Sequence, residues 1–193
     1  AGAVLTFNED GSMNLSSGIL EIGSGTYSSV AQILAERFRD DPRNVHINWE
    51  VHTGHSPHDW ATAASRSLFM AGCAALAAAD DAIRQIKRIA SAALRCPEED
   101  LEVAGGRVYV RDDPRQGLPL SKVVLGYQYP DGKSIGGQVI GRGNYLSRGL
   151  TGINAETGEG NPALEWTLGA EAVEVEVDLA DGSFNVLKAV CAM

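Results

Sequence analysis

Two stretches have residue types and spacing suited to ligand chemistry. Glu21-Ile22-Gly23-Ser24-Gly25-Thr26 lies where an apolar strand pattern gives way to a helical one, and Pro57-His58-Asp59-Trp60-Ala61-Thr62-Ala63-Ala64-Ser65-Arg66 reads as the opening of a second helix. The leading N–H groups of a helix have no intrahelical partner and carry the positive end of the macrodipole, so each stretch can face an anion. Glycines at 23 and 25 would let a bulky phosphate come close to the backbone. Taken by itself, Gly-x-Gly is more often a strand-to-helix turn capped by a serine or threonine.

Other groupings are weaker. His52, His55 and His58 recur every third residue beside Asp59, but Gly54 and Pro57 make this a loop rather than one helix face. A solvated histidine cluster at a pocket edge is expected there, not a native metal site. Nucleophilic catalysis has no strand-to-helix elbow to support it. Glu98, Glu99 and Asp100 follow Pro97 at a helix end and read as a solvated turn. No catalytic residue and no metal ligand is assigned.

The composition narrows the function classes. A chain of 193 residues is long enough for a real core. Its net charge of −9 argues against a nucleic-acid or anionic-membrane surface, which needs clustered Lys and Arg. Arg84, Lys87 and Arg88 do lie together, but as a solvated helix face offset by Asp80 and Asp81. Cys73, Cys96 and Cys191 are odd in number and widely spaced, which points to reduced thiols and a cytoplasmic setting. The alanine-rich run after Met70 meets Asp80 and Asp81 before it could span a membrane.

These stretches must be positioned by surrounding elements. Residues 3–8 and 14–22 are expected as strands joined by a turn at Glu9-Asp10-Gly11-Ser12. Tyr27, Val30, Ile33, Leu34 and Phe38 recur at helical spacing, and Asp40-Asp41-Pro42 ends that helix. Residues 45–51 alternate as a strand with Val45, Ile47, Trp49 and Val51 toward the core. A long helix is expected from Ala61 to Leu94, with Phe69, Gly72, Leu76, Ala79, Ile83, Ile86, Ala90 and Ala93 along one stripe. Within it, Gly72 is either merely tolerated or marks close approach of another backbone. A hairpin turns at Gly105-Gly106, and Ser121 is expected to cap a short helix through Leu125. Residues 145–163 are polar and glycine-punctuated, the pattern of a long loop that is functional, disordered or packed on a neighbour. Residues 172–178 and 184–193 form a last hairpin around Asp181-Gly182. The expected class is α+β, with β-hairpins packed on two main helices. Because the chain starts at Ala1 and its final strand pattern runs to Met193, an excised piece of a longer protein is expected.

In combination the motifs carry a resemblance. Residues 21–26, then Ala31-Gln32-Ile33-Leu34-Ala35-Glu36, Thr53, Pro57, Thr62-Ala63-Ala64-Ser65-Arg66-Ser67 and Gly72-Cys73-Ala74 resemble, in order and spacing, the molybdopterin-binding large subunit of the xanthine dehydrogenase and aldehyde oxidase family. Gly160-Asn161-Pro162 and residues 169–178 are similar to that family's following segment, so the likeness covers nearly the whole chain. It implies that residues 1–193 are one fragment of a molybdopterin-binding domain, with a subdivision allowed near residue 97. It also implies a parent enzyme that hydroxylates an aldehyde or N-heterocycle with water-derived oxygen. The implied partners are the remaining parts of the large subunit together with iron–sulfur and FAD subunits or domains. The implied cofactor is molybdenum–molybdopterin, touched by Gly23, Ser24, Gly25 and Thr26 and by Thr62, Ala63, Ala64 and Ser65.

Two departures from the family pattern stand out. Ser24 occupies the place where the family commonly has glutamine, which shortens its reach toward the metal-side ligands. His52 stands where the family often has aspartate. The family's catalytic glutamate lies beyond the last residue of this chain, so the fragment alone is expected to be inactive and to hold no cofactor tightly. The competing expectation is a free-standing anion-binding or protein-interaction domain.

Overall fold

The computed structural model describes residues 1–63, 65–163 and 168–192. They form two compact units, residues 1–146 and 147–193.

The first unit is built on a four-stranded sheet. β1 (Gly2–Phe7) and β2 (Met13–Ser17) pair antiparallel, Leu5 opposite Leu15, around a turn in which Gly11 takes a φ of 90°. Helix α1 (Thr26–Phe38) then carries the chain to β3 (Val45–Ile47), which lies parallel to β2. α1 forms because Val30, Leu34 and Phe38 make a buried stripe; burying each such side chain contributes about 1.5–3 kcal/mol. It stops where Arg39 turns left-handed and donates its N–H to the Ala35 and Glu36 carbonyls.

Helix α2 (Arg66–Leu94) crosses this sheet, and Arg37 of α1 pairs with its Asp80 at 2.6 Å. After it, β4 (Leu101–Ala104), β5 (Arg107–Val110) and β6 (Asp113–Pro119) form a separate three-stranded antiparallel sheet. Gly105 and Gly106, at φ 57° and 71°, make the two-residue turn between β4 and β5. β7 (Tyr127–Gln128) and β8 (Ser134–Ile135), two residues each, pair as an antiparallel hairpin. β9 (Gly141–Asn144) returns to pair antiparallel with β1 on the side away from β2.

The β9–α2 contact is backbone against backbone. A Cβ on Gly141 would stand 2.2 Å from the Ala78 carbonyl oxygen, and one on Gly143 2.1 Å from that of Ala74. Glycines on the strand and alanines on the helix therefore belong to one packing solution. Ala74, Ala75, Ala78, Ala79 and Ala82 are fully buried beside Ile83 and Ile86.

In the second unit, β10 (Ala170–Val177) and β11 (Phe184–Ala192) form an antiparallel hairpin, with Gly182 at φ 76° in its turn.

The α+β class and the two main helices are as expected, and several bounds are corrected. The 14–22 strand ends at Ser17, because the following residues turn away to form the wall described below. The 45–51 strand ends at Ile47; Trp49 is 73% exposed and stacks edge-on against Tyr27 instead of entering the core. The long helix starts at Arg66 rather than Ala61, and Leu76 on its expected stripe is exposed. Close approach at Gly72 comes from a side chain, since its Cβ would lie 3.1 Å from Ile33 Cδ1. Ser121 caps no helix; Leu120–Lys122 is a single 3-10 turn preceded by Pro119.

Candidate functional site

The first wall is the turn after β2. Gly23 and Gly25 have φ values of 94° and 72°, a conformation few other residues tolerate. A Cβ on either would meet nothing within 4 Å, so backbone conformation, not crowding, calls for glycine there. The turn is closed by the chain's own acid. Glu21 Oε1 accepts the N–H groups of Gly23 at 2.8 Å and Gly25 at 3.0 Å, and Oε2 accepts that of Tyr27 at 3.1 Å. The Ser24 hydroxyl also donates to Oε1, at 3.2 Å. These bonds, the Tyr27 N–H foremost, hold the Glu21 carboxyl below its ordinary pKa. Ser24 Oγ and Thr26 Oγ1 stand 2.9 Å apart.

The second wall is the segment that leads into α2. Asp59 is buried and is gripped at both oxygens by the Arg66 guanidinium, which also donates to the Ala61 carbonyl. This grip holds Ala61, Thr62 and Ala63 out of helix, and Ser65 meets α2 in a left-handed conformation, φ 58°. The segment rests against Gly18, just past the end of β2, where a Cβ would stand 2.3 Å from the Pro57 carbonyl oxygen. Thr62 Oγ1 lies 3.4 Å from both the N–H and the carbonyl oxygen of Leu20, linking the two walls.

Between the walls is a cleft of about 360 Å³. Five hydroxyl residues line it: Ser24, Thr26, Thr62, Ser65 and Ser67; Ile22, Ala63 and Leu68 supply alkyl surface. Of the residues singled out from sequence, Ser24, Thr26, Thr62, Ala63 and Ser65 thus come together. Gly23 and Gly25 shape the turn without lining the cleft, and Ala64 lies outside the described residues.

Sequence reasoning missed Ser67 as a site residue. It is 6% exposed, and among the described residues its Oγ has no hydrogen-bond partner. Leaving a hydroxyl so costs about 1–3 kcal/mol, which a polar ligand atom could recover. The spacing Gly-x-Ser-x-Gly also occurs, as Gly132-Lys133-Ser134-Ile135-Gly136, but in the β7–β8 hairpin and without the strand-to-helix context that activates a nucleophile. His52 and His55 stack at 4.5 Å, and His52 Nδ1 accepts the Gly54 N–H. Among the described residues, no three His, Cys, Asp or Glu side chains are placed to hold a metal ion, and no helix is long and apolar enough to cross a membrane.

Comparison with known proteins gives a consistent result. A family model described as the molybdopterin cofactor-binding domain matches residues 1–193. The gamma subunit of the 6-hydroxypseudooxynicotine dehydrogenase complex of Paenarthrobacter nicotinovorans is 26% identical over 92% of this chain and 21% of its own length. Xanthine dehydrogenase of Oryza sativa subsp. japonica is 25% identical over 96% of this chain and 11% of its own. The chain therefore spans about a fifth of the length of the first of these relatives and about a tenth of the second. In fold it resembles quinoline 2-oxidoreductase from Pseudomonas putida 86, with a TM-score of 0.69 at 20% identity over 98% of this chain and 22% of that one.

Proposed function

Because the chain belongs to the molybdopterin cofactor-binding domain family, we propose that the cleft between the Glu21–Tyr27 turn and the start of α2 holds part of a molybdenum–molybdopterin cofactor. The protein served is an oxidoreductase of the xanthine dehydrogenase and aldehyde oxidase type. The unpartnered, buried Ser67 hydroxyl carries the reading, because it asks for a polar ligand atom inside the cleft. The donor set fits: Ser24, Thr26, Thr62, Ser65 and Ser67 can donate to or accept from a pterin edge or a phosphate, while Ile22 and Leu68 offer apolar contact to a ring.

When bound, the cofactor supplies the redox centre for hydroxylating an aldehyde or N-heterocycle with water-derived oxygen. This chain's part is to bind and orient it. The lining residues carry hydroxyl and alkyl groups and no side chain that titrates near neutrality, so they hold a ligand without moving protons. Turnover then depends on the rest of the large subunit and on iron–sulfur and FAD partners, and the 193 residues alone are inactive. The free thiols of Cys73, Cys96 and Cys191 suit a reducing cytoplasm.

The test is to purify the protein from a host that makes the cofactor and to quantify released pterin and molybdenum. The reading expects both in stoichiometric amount in the protein containing this domain. Folded protein free of pterin would overturn it.

A further inference from the structure

The two walls offer a ligand different chemistry. Around the start of α1 three N–H groups are taken: Gly23, Gly25 and Tyr27 donate to Glu21, in charge-assisted bonds of 2.8–3.1 Å. The turn therefore holds a full negative charge of its own, and among the described residues no Lys, Arg or His lines the cleft to offset a second one. At the start of α2 no side chain caps the helix and no acid lies in its first turn. There the buried Ser67 hydroxyl has no partner among the described residues.

We propose that Glu21 is a positioning residue, an internal acceptor for the N–H groups of Gly23, Gly25 and Tyr27, which leaves Ser24 and Thr26 to meet a neutral polar edge of the ligand and directs its anionic group to the start of α2. The two helix starts, alike in sequence, are thereby made unlike. Only the identity of the ligand rests on the cofactor reading; the division of labour rests on the hydrogen bonds themselves. Glu21 also fixes the separation of the Ser24 and Thr26 hydroxyls, because it holds the backbone on both sides of each.

Amide hydrogen exchange of the cofactor-free protein, followed by mass spectrometry with and without inorganic phosphate, tests this. In the wild type, phosphate should slow exchange at residues 66–69 and leave 22–27 unchanged. In Glu21→Ala, exchange at 22–27 should rise by roughly tenfold while the middle of α1 stays protected, and phosphate should now slow it. Glu21→Gln, which keeps one carbonyl acceptor and loses the charge, should fall between them and carries the test if the alanine variant does not fold. Phosphate protection of 22–27 in the wild type, or wild-type exchange in both variants, would overturn the proposal. The measurement needs no bound cofactor, so a protein that never acquires pterin would defeat the cofactor reading and leave the outcome here decisive.

Discussion

Arg66 grips Asp59 from the first turn of α2, its Nη1 and Nη2 donating to the two carboxylate oxygens at 3.1 and 3.2 Å, with the Asp59 side chain 1% exposed. The bridge closes a loop whose other residues include Thr62, Ala63 and Ser65, so one wall of the cleft depends on it. Removing Asp59 takes the carboxylate from Arg66, whose side chain is 19% exposed, and leaves it the Ala61 carbonyl. Asp59→Ala is expected to cost about 3 kcal/mol in urea unfolding. Arg66→Lys, which keeps the charge but not the planar fork, should cost less while still loosening residues 60–63.

Substitution at Gly143 tests the packing of β9 on α2. A methyl group there has to enter space held by the Ala74 carbonyl, which cannot move without moving the helix. Gly143→Ala should destabilise by about 3 kcal/mol, at the upper end for overpacking. Gly23→Ala should lose stability for a different reason, backbone conformation at φ 94°, since space around it is open.

Ser67→Ala should separate stability from binding. Deleting an unpartnered buried hydroxyl is expected to stabilise the ligand-free protein by about 1 kcal/mol and to lower its pterin content. Thermal unfolding and pterin release, measured on the same preparation, check both directions.

The acid limb of stability should carry the signature of two carboxylates. Glu21 is held below its ordinary 4.5 by backbone N–H donors, and Asp41 is pulled down to about 2 by the Arg43 side chain and N–H. A depressed folded pKa means that the contribution is present above the ordinary value and is lost as pH falls through the folded one. Carboxyl NMR titration should find Asp41 titrating near 2 and Glu21 below 4.5. Glu21→Gln should flatten the decline of stability in that acid range and leave its slope near neutrality unchanged.

Much of this fold is legible in the residues. Tyr27, Val30, Leu34 and Phe38 repeat at helical spacing because that stripe is what α1 buries, and the alternation of 172–177 belongs to β10. What escapes is structure without a side-chain signature. β9 reads Gly-Arg-Gly-Asn, with no apolar alternation, because its contact with α2 is made by backbone. The start of α2 is misplaced because Ala61, Thr62 and Ala63 look helical locally, whereas the bonds from Arg66 to Asp59 and Ala61 hold them out of helix. Both stretches of the candidate cleft were visible as helix openings. Their difference was not, because Glu21 capping the turn and Ser67 lacking a partner are three-dimensional facts.

The central claim is best tested by a crystal structure of the protein containing this domain with molybdopterin bound. The account predicts a pterin or phosphate oxygen within hydrogen-bonding distance of Ser67 Oγ, with the Glu21 carboxylate still on the Gly23, Gly25 and Tyr27 N–H groups. A cofactor seated elsewhere with Ser67 still unpartnered, or one whose phosphate has displaced Glu21, would contradict it.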